Sequence, residues 1–164
     1  MPTMLRAIRQ ARPEDAGAVA EITNRMIRET LITFASEEKT AEQIAETIEE
    51  RGPRFLVADF AGRICGFATY GAFRSGSGYR HTREHSIQLA PFAQRRGLGR
   101  SLMACLEEVA RGEEVHVLVA GISGANPGAI AFHASVGFAE AGRVPQAGRK
   151  WDQWLDLVLM QKQL

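Results

Sequence analysis

This chain is short of several things, and each shortage closes off a class of function. Its 164 residues include two cysteines, Cys65 and Cys105. They lack metal-ligand spacing and no Cys/His cluster accompanies them, so no metal site and no disulfide framework is expected. Both lie among apolar neighbours, which predicts two buried, reduced thiols. Charge of either sign is not in excess: the net charge is +1, so no overall field draws the protein to nucleic acid. No apolar run is long enough to cross a bilayer, and no basic segment leading into an apolar stretch opens the chain. A cytoplasmic protein with no membrane and no nucleic-acid partner is expected. Repeats, linkers and low-complexity segments are also absent, and the length suits one domain, residues 1–164.

What is present is an ordinary globular pattern. Leu5, Ala7 and Ile8 alternate loosely with Arg6 and Arg9, as in an edge strand. Pro13, Glu14 and Asp15 suit a helix start, and Val19, Ile22 and Met26 then recur at helical spacing. Thr40 and Gln43 form a capping-box pattern ahead of Ile44 and Ile48. "RFLVADF" and "ICGFATYGAF" read as two strands joined by a tight turn. A glycine-rich loop, "SGSGYRH", leads to "TREHSIQL". There Ile87 and Leu89 share one strand face and Glu84, Ser86 and Gln88 the other. Leu98, Leu102, Leu106 and Val109 mark a helix. "EVHVLVAG" is almost wholly apolar, as a strand buried on both faces would be. Asn126 and Pro127 suit the N-cap and first position of a short helix, and Gly137 its end. "FAEAGRV" and "WLDLVLMQKQL" supply the last strands. The order βααβββαβαββ predicts an α/β (α+β) fold, a mixed and mostly antiparallel sheet with helices on both faces.

"QRRGLGR", residues 94–100, stands out. Glycine lets the backbone approach a ligand closely, and a helix starting here offers unpaired N–H groups and the positive end of its dipole. That suits a pyrophosphate, with Arg95, Arg96 and Arg100 at its rim. The stretch equally suits an ordinary strand-to-helix turn. It is not a nucleotide-triphosphatase loop, because no G-x-x-x-x-G-K-[ST] string exists. Nor is it the dinucleotide fingerprint, because Leu102 stands where its last glycine is required.

Gln94, Gly97 and Gly99, set between a strand and a helix, resemble the acetyl-CoA pyrophosphate loop of the GNAT superfamily of N-acetyltransferases. The element order matches that superfamily throughout. "YRHTREHSIQL", "HVLVAGISGANPGAIAFHASVGF" and "GRKWDQWLDLVLMQ" are similar to its phosphinothricin and methionine sulfoximine N-acetyltransferase branch. The resemblance implies a pantetheine arm lying in a gap between two splayed parallel strands, residues 86–89 and 115–120. The backbone at Ile87, Gln88 and Leu89 would pair with it. The N–H groups of Arg95, Arg96, Gly97, Leu98, Gly99 and Arg100 would hold the pyrophosphate, and Asn126 would lie near the pantetheine.

Acetyl transfer to an amine needs a neutral nucleophile, a stabilised thioester oxygen and a protonated leaving thiol. An α-amino group titrates at roughly 7.7–8.0, so near neutrality a base has one proton to remove. By resemblance Glu84 is that base, directly or through water, and His133 is acid, base or cofactor contact. His85, on the other face of its strand, is read as structural. Arg74, Arg80 and Lys150 fall in loops expected to border the pocket. Arg74 and Lys150 match basic positions of the branch and would meet the substrate's anionic group, with Phe34 and Tyr79 forming an apolar wall. "TLITFAS" departs from the branch, which more often has a small, hydroxyl-rich stretch there. The expected function is acetyl-CoA-dependent acetylation of the α-amine of a small amino acid or analogue: methionine sulfoximine, methionine sulfone or a phosphinothricin-like compound. Transfer would be direct, in a ternary complex, with no metal. The resemblance also implies a homodimer. The alternatives are acetylation of a protein N-terminus or other amine, and a non-catalytic acyl-CoA sensor.

Overall fold

The computed structural model describes residues 6–164; Leu5, counted above with the first strand, lies outside them. Seven strands and four helices follow in the expected order: β1 (Arg6–Gln10), α1 (Ala16–Glu29), α2 (Ala41–Arg51), β2 (Phe55–Phe60), β3 (Arg63–Ala72), β4 (Thr82–Leu89), α3 (Leu98–Gly112), β5 (Val117–Ser123), α4 (Pro127–Ser135), β6 (Ala139–Lys150) and β7 (Gln153–Gln163). The local signals work as read. Thr40 accepts from the Gln43 N–H and Gln43 reaches back to Thr40, closing a capping box. Asn126 accepts from the Ala129 N–H, and Gly137, at φ 98°, takes the left-handed turn after α4.

The strands form one sheet in the order β1-β2-β3-β4-β5-β7-β6. Every pair is antiparallel except β4 with β5. Apolar residues on both sheet faces require cover on both sides. On one face Val19, Ile22, Ile44 and Ile48 of α1 and α2 pack on Phe55, Val57 and Phe67. On the other Leu98, Leu102 and Leu106 of α3 pack on Leu56, Ala68, Leu118 and Val158, with Ile130 and Phe132 of α4 alongside.

The parallel pair decides where a site can be. Thr82 to His85 run in register with Val117 to Ala120, and there the pairing stops. Beyond it β4 continues to Leu89 bonded only to β3, and β5 continues to Ser123 bonded only to β7. The opening therefore lies between residues 86–89 and 121–123. The expected partner segment, 115–120, is corrected: its residues 117–120 form the closed part, and Val115 precedes the strand. Parallel pairing is slightly less stable per residue than antiparallel pairing, and each of the two strands keeps its antiparallel neighbour where the parallel ladder ends.

The thiols separate. Cys65 is buried and donates to the Ala58 carbonyl. Cys105 is exposed on α3, against the expectation, because the buried arc of the helix runs from Leu98 through Leu102 and Leu106 to Met103 and Ala110 and leaves Cys105 just beyond its Leu98 edge.

Candidate active site

Two connected cavities occupy the opening. The first, about 330 Å³, passes through the sheet. On the α1–α2 side its walls include Ile32, Phe34, Ser86, Gly121, Ser123 and Leu157, and on the other His85, Ile122, Asn126, Ala129 and His133. The second, about 540 Å³, runs from Ile87, Gln88 and Leu89 past Phe132 to Gln94, Arg95, Gly97, Gly99 and Arg100. Ile32, Ile87, Gln88, Asn126, Ala129 and His133 line both. The strand edge, the α3 loop and Asn126 are thus brought together along one groove.

At the far end of that groove Gly97 caps α3 with φ 78° and ψ 1°. A side chain would strain that conformation, so glycine is required there for backbone reasons. The first main-chain bond of the helix runs from the Ser101 N–H to the Gly97 carbonyl at 3.2 Å. The N–H groups of Leu98, Gly99 and Arg100 precede it, and no side chain caps them. Three donors and a helix dipole face the groove, the arrangement that binds phosphate oxygens. Gly99 lines the same groove and also has a packing role. A Cβ there would lie 3.2 and 3.3 Å from the Phe132 ring, so this glycine permits α3 to approach α4. Arg100 reaches across to the Ser135 carbonyl at 3.3 Å, while Arg95 and Arg96 remain exposed at the rim.

Glu84 lies on the α1–α2 face of β4, in register with Gly71 and Val119. It borders the first cavity rather than lining it. Its Oε1 would be 3.0 Å from a Cβ on Gly121, so the bare backbone of β5 gives the carboxylate its place. The side chain reaches solvent, and its partial desolvation against the strands raises its pKa from the ordinary glutamate value.

The two histidines meet beneath the junction of the cavities. His133 Nδ1 lies 2.8 Å from the Ala129 carbonyl and must donate to it, since a carbonyl only accepts. Its Nε2 is 2.9 Å from Nε2 of His85. With both rings neutral, His85 donates through Nε2 and His133 accepts. Burial lowers both pKa values, that of His85 to about 3 with the neighbouring ring adding to the effect. His85 Nδ1 is buried near the Val119 carbonyl without a hydrogen bond of good geometry. In this state neither ring offers an N–H to the cavity. His85 was read as structural from its strand face alone; its contact with His133 is carried by α4 and could not be seen locally.

The expected substrate residues divide. Phe34 lines the first cavity. Lys150 is not in a loop: it ends β6, is buried, and donates to the Thr30 and Thr33 carbonyls at 2.7 and 3.1 Å. Burial without a carboxylate partner lowers its pKa. Arg74, Tyr79 and Arg80, between β3 and β4, line neither cavity. The Arg74 guanidinium lies over the Tyr79 ring at 5.6 Å, and Arg80 donates to His81. Sequence reasoning missed Ser123, whose hydroxyl donates to the Leu31 carbonyl at 2.8 Å, and Gly121. The glycine did carry a signal, as a glycine inside an otherwise apolar strand.

A sheet parted at its one parallel pair, with a helix N-terminus closing the groove that runs from it, has the layout of an acyl-carrier transferase. Comparison with known proteins makes this specific. Residues 8–159 match the acetyltransferase (GNAT) domain, and the chain belongs to that family. It is 39% identical over 161 residues to the L-amino acid N-acyltransferase MnaT of Escherichia coli strain K12, covering 96% of this chain and 94% of the relative. It is 38% identical to the L-methionine sulfoximine/L-methionine sulfone acetyltransferase of Salmonella typhimurium, over 96% and 94%. The structure of yncA from Salmonella typhimurium with its cofactor acetyl-CoA superposes with a TM-score of 0.92 at 36% identity, covering 98% of this chain and 94% of the other.

Proposed function

We propose that this protein is an acetyl-CoA-dependent N-acetyltransferase acting on the α-amine of a small amino acid or analogue. Methionine sulfoximine, methionine sulfone and phosphinothricin-like compounds are the candidates. One observation carries the reading: a cavity crosses the sheet at the parted strands and continues into a groove that ends on the uncapped N-terminus of α3. A thioester in that groove meets an amine entering from the α1–α2 side. The pyrophosphate takes the N–H groups of Leu98, Gly99 and Arg100, and the pantetheine follows the free edge at Ile87 and Leu89 as an added strand.

Glu84, at the rim of the amine side, removes one proton from the ammonium, directly or through a water. The freed lone pair attacks the thioester carbon. On collapse, the C–S bond breaks and a second proton leaves the attacking nitrogen for the sulfur. His133, with its Nδ1–H held by a helix carbonyl, orients the acyl end rather than supplying a proton. Lys150, which lines neither cavity, serves the site indirectly by holding the segment that carries Phe34 against β6. Transfer is direct, because neither Cys65 nor Cys105 lines a cavity.

A single domain over residues 1–164, a cytoplasmic location and a homodimer complete the reading. No helix among the described residues is long and apolar enough to cross a membrane. Trp151 and Trp154 are 51% and 58% exposed and offer apolar surface for a second copy. Arg74, Tyr79 and Arg80 would then border that copy's site. The test is release of free thiol from acetyl-CoA with a panel of L-amino acids and the named analogues. Turnover with one or more is expected; binding of acetyl-CoA without turnover on any amine would make the protein a sensor instead.

A further inference from the structure

Gly148 lies in β6 just after a bulge: Val144 opposes Leu157 and Gly148 opposes Leu155, so one strand carries extra residues that its partner does not match. Bulges of this kind redirect a strand at the edge of a site. Gly148 is buried, and its φ is not positive, so the backbone itself would accept any residue. The neighbour would not. A Cβ on Gly148 would lie 2.5, 2.7 and 2.8 Å from three atoms of the Phe34 ring. The ring therefore rests directly against the Cα of Gly148.

Phe34 is also a wall of the first cavity, together with Ile32, Ile122 and Leu157. Its backbone has little freedom to retreat. Two residues further along β6, Lys150 holds the Thr30 and Thr33 carbonyls, and Ser123 holds that of Leu31. The segment between α1 and α2 is thus pinned at Thr30, Leu31 and Thr33, immediately before the ring. A methyl group at position 148 would have to move the ring, and the pinned backbone leaves the cavity as the direction of movement.

We propose that Gly148 is a specificity-determining residue: by seating Phe34 it sets the width of the amine-side cavity, and so the largest acceptor side chain that fits. The cavity that Phe34 bounds presents Ile32, Ile122 and Leu157 together with Ser86, Ser123 and Asn126. A side chain with an apolar stem and a polar end suits that mixed lining, so the acceptor class is an α-amino acid with a side chain of several heavy atoms, beyond alanine in size. Neither residue touches the pyrophosphate end of the groove, so acetyl-CoA binding is independent of this device. The inference rests on the amino-acid reading given above.

The experiment compares the parent chain with Gly148→Ala, Phe34→Ala and the double variant. Each is given saturating acetyl-CoA and L-alanine, L-methionine sulfone or L-phenylalanine, with thermal melts to confirm folding. In Gly148→Ala, kcat/KM for L-methionine sulfone falls at least tenfold relative to that for L-alanine, and KM for acetyl-CoA stays at the parent value. Phe34→Ala, which needs no space near Gly148, raises use of L-phenylalanine relative to L-alanine. The double variant regains L-methionine sulfone, a rescue that general damage to the fold would not produce. A folded Gly148→Ala protein with the parent's order of preference, or a Phe34→Ala protein that gains nothing on the larger acceptor, overturns the proposal. Should Gly148→Ala fail to fold, the Phe34→Ala result decides alone. A parent with no turnover on any α-amino acid overturns the amino-acid reading and this inference together; a parent active on the panel with unchanged variants overturns only the inference.

Discussion

At the scale of single residues, the chemistry depends on what desolvation does to Glu84 and to the histidines. A base must be ionised, and partial desolvation makes ionisation of Glu84 harder. The acid limb of kcat should therefore lie above the ordinary glutamate value, with activity lost as pH falls through the raised pKa. Glu84→Gln keeps the shape and removes the base. It should lower kcat about 100-fold or more near pH 7, with a deficit that shrinks at higher pH as more of the amine is already neutral. A pH profile of kcat checks this, and parent-like rates at neutral pH would remove Glu84 from the mechanism. The histidines act on stability. His85 titrates near 6.5 when unfolded and about 3 when folded, so the unfolded chain takes up a proton first. Stability is full above pH 6.5 and declines as pH falls below it, by at most about 1.4 kcal/mol per pH unit for this one group. Thermal melts from pH 8 to 5 should show that decline, and it should be shallower in His85→Phe. Parallel curves for the two proteins would rule out this origin.

At the scale of elements, the turn into α3 contains two glycines with different duties. Gly97 has to accept a left-handed backbone, and Gly99 has to accept the Phe132 ring. Gly97→Ala should strain the turn by about 1–2 kcal/mol and tilt the N–H groups that meet the pyrophosphate, so acetyl-CoA binding measured by calorimetry should weaken. Gly99→Val should instead overpack the α3–α4 contact, at a cost of about 1–3 kcal/mol, visible as a lower Tm. The two effects should separate, with affinity responding mainly at position 97 and melting mainly at position 99. Equal loss of affinity at both positions, with no change in melting, would restore the simpler view of a glycine loop serving phosphate alone.

At the scale of the whole molecule, the sheet brings a site together from five separate stretches: the α1–α2 segment, the end of β4, the α3 turn, the end of β5 and α4. The β6–β7 hairpin closes it from the side and leaves both tryptophans in solvent, with the Arg149 guanidinium 4.5 Å from the Trp154 ring. A monomer rarely exposes two such side chains on one hairpin without use. Sedimentation should give the mass of two 18.0 kDa chains, and Trp154→Lys should shift the equilibrium toward one. A monomeric parent at micromolar concentration would overturn the homodimer.

Much of this was legible before any tertiary contact. Hydrophobic period, the Thr40–Gln43 and Asn126 caps and the glycines at 97 and 137 are local signals, because caps and turns are satisfied within a few residues. They determined the order of elements, and the 94–100 motif marked the end of the groove at which the pyrophosphate is proposed to bind. What they could not determine is anything that depends on a partner far along the chain. Where the β4–β5 ladder stops is settled by how the two strands lie in the assembled sheet. The exposure of Cys105 followed from which stripe of α3 met the sheet. The pairing of His85 with His133, the seat of Phe34 on Gly148, and the burial of Lys150 against the Thr30 and Thr33 carbonyls join residues 48 to 120 positions apart. Sequence fixes which side chains exist and how each segment turns; only packing decides which of them share a wall, because that choice is made by the sheet as a whole.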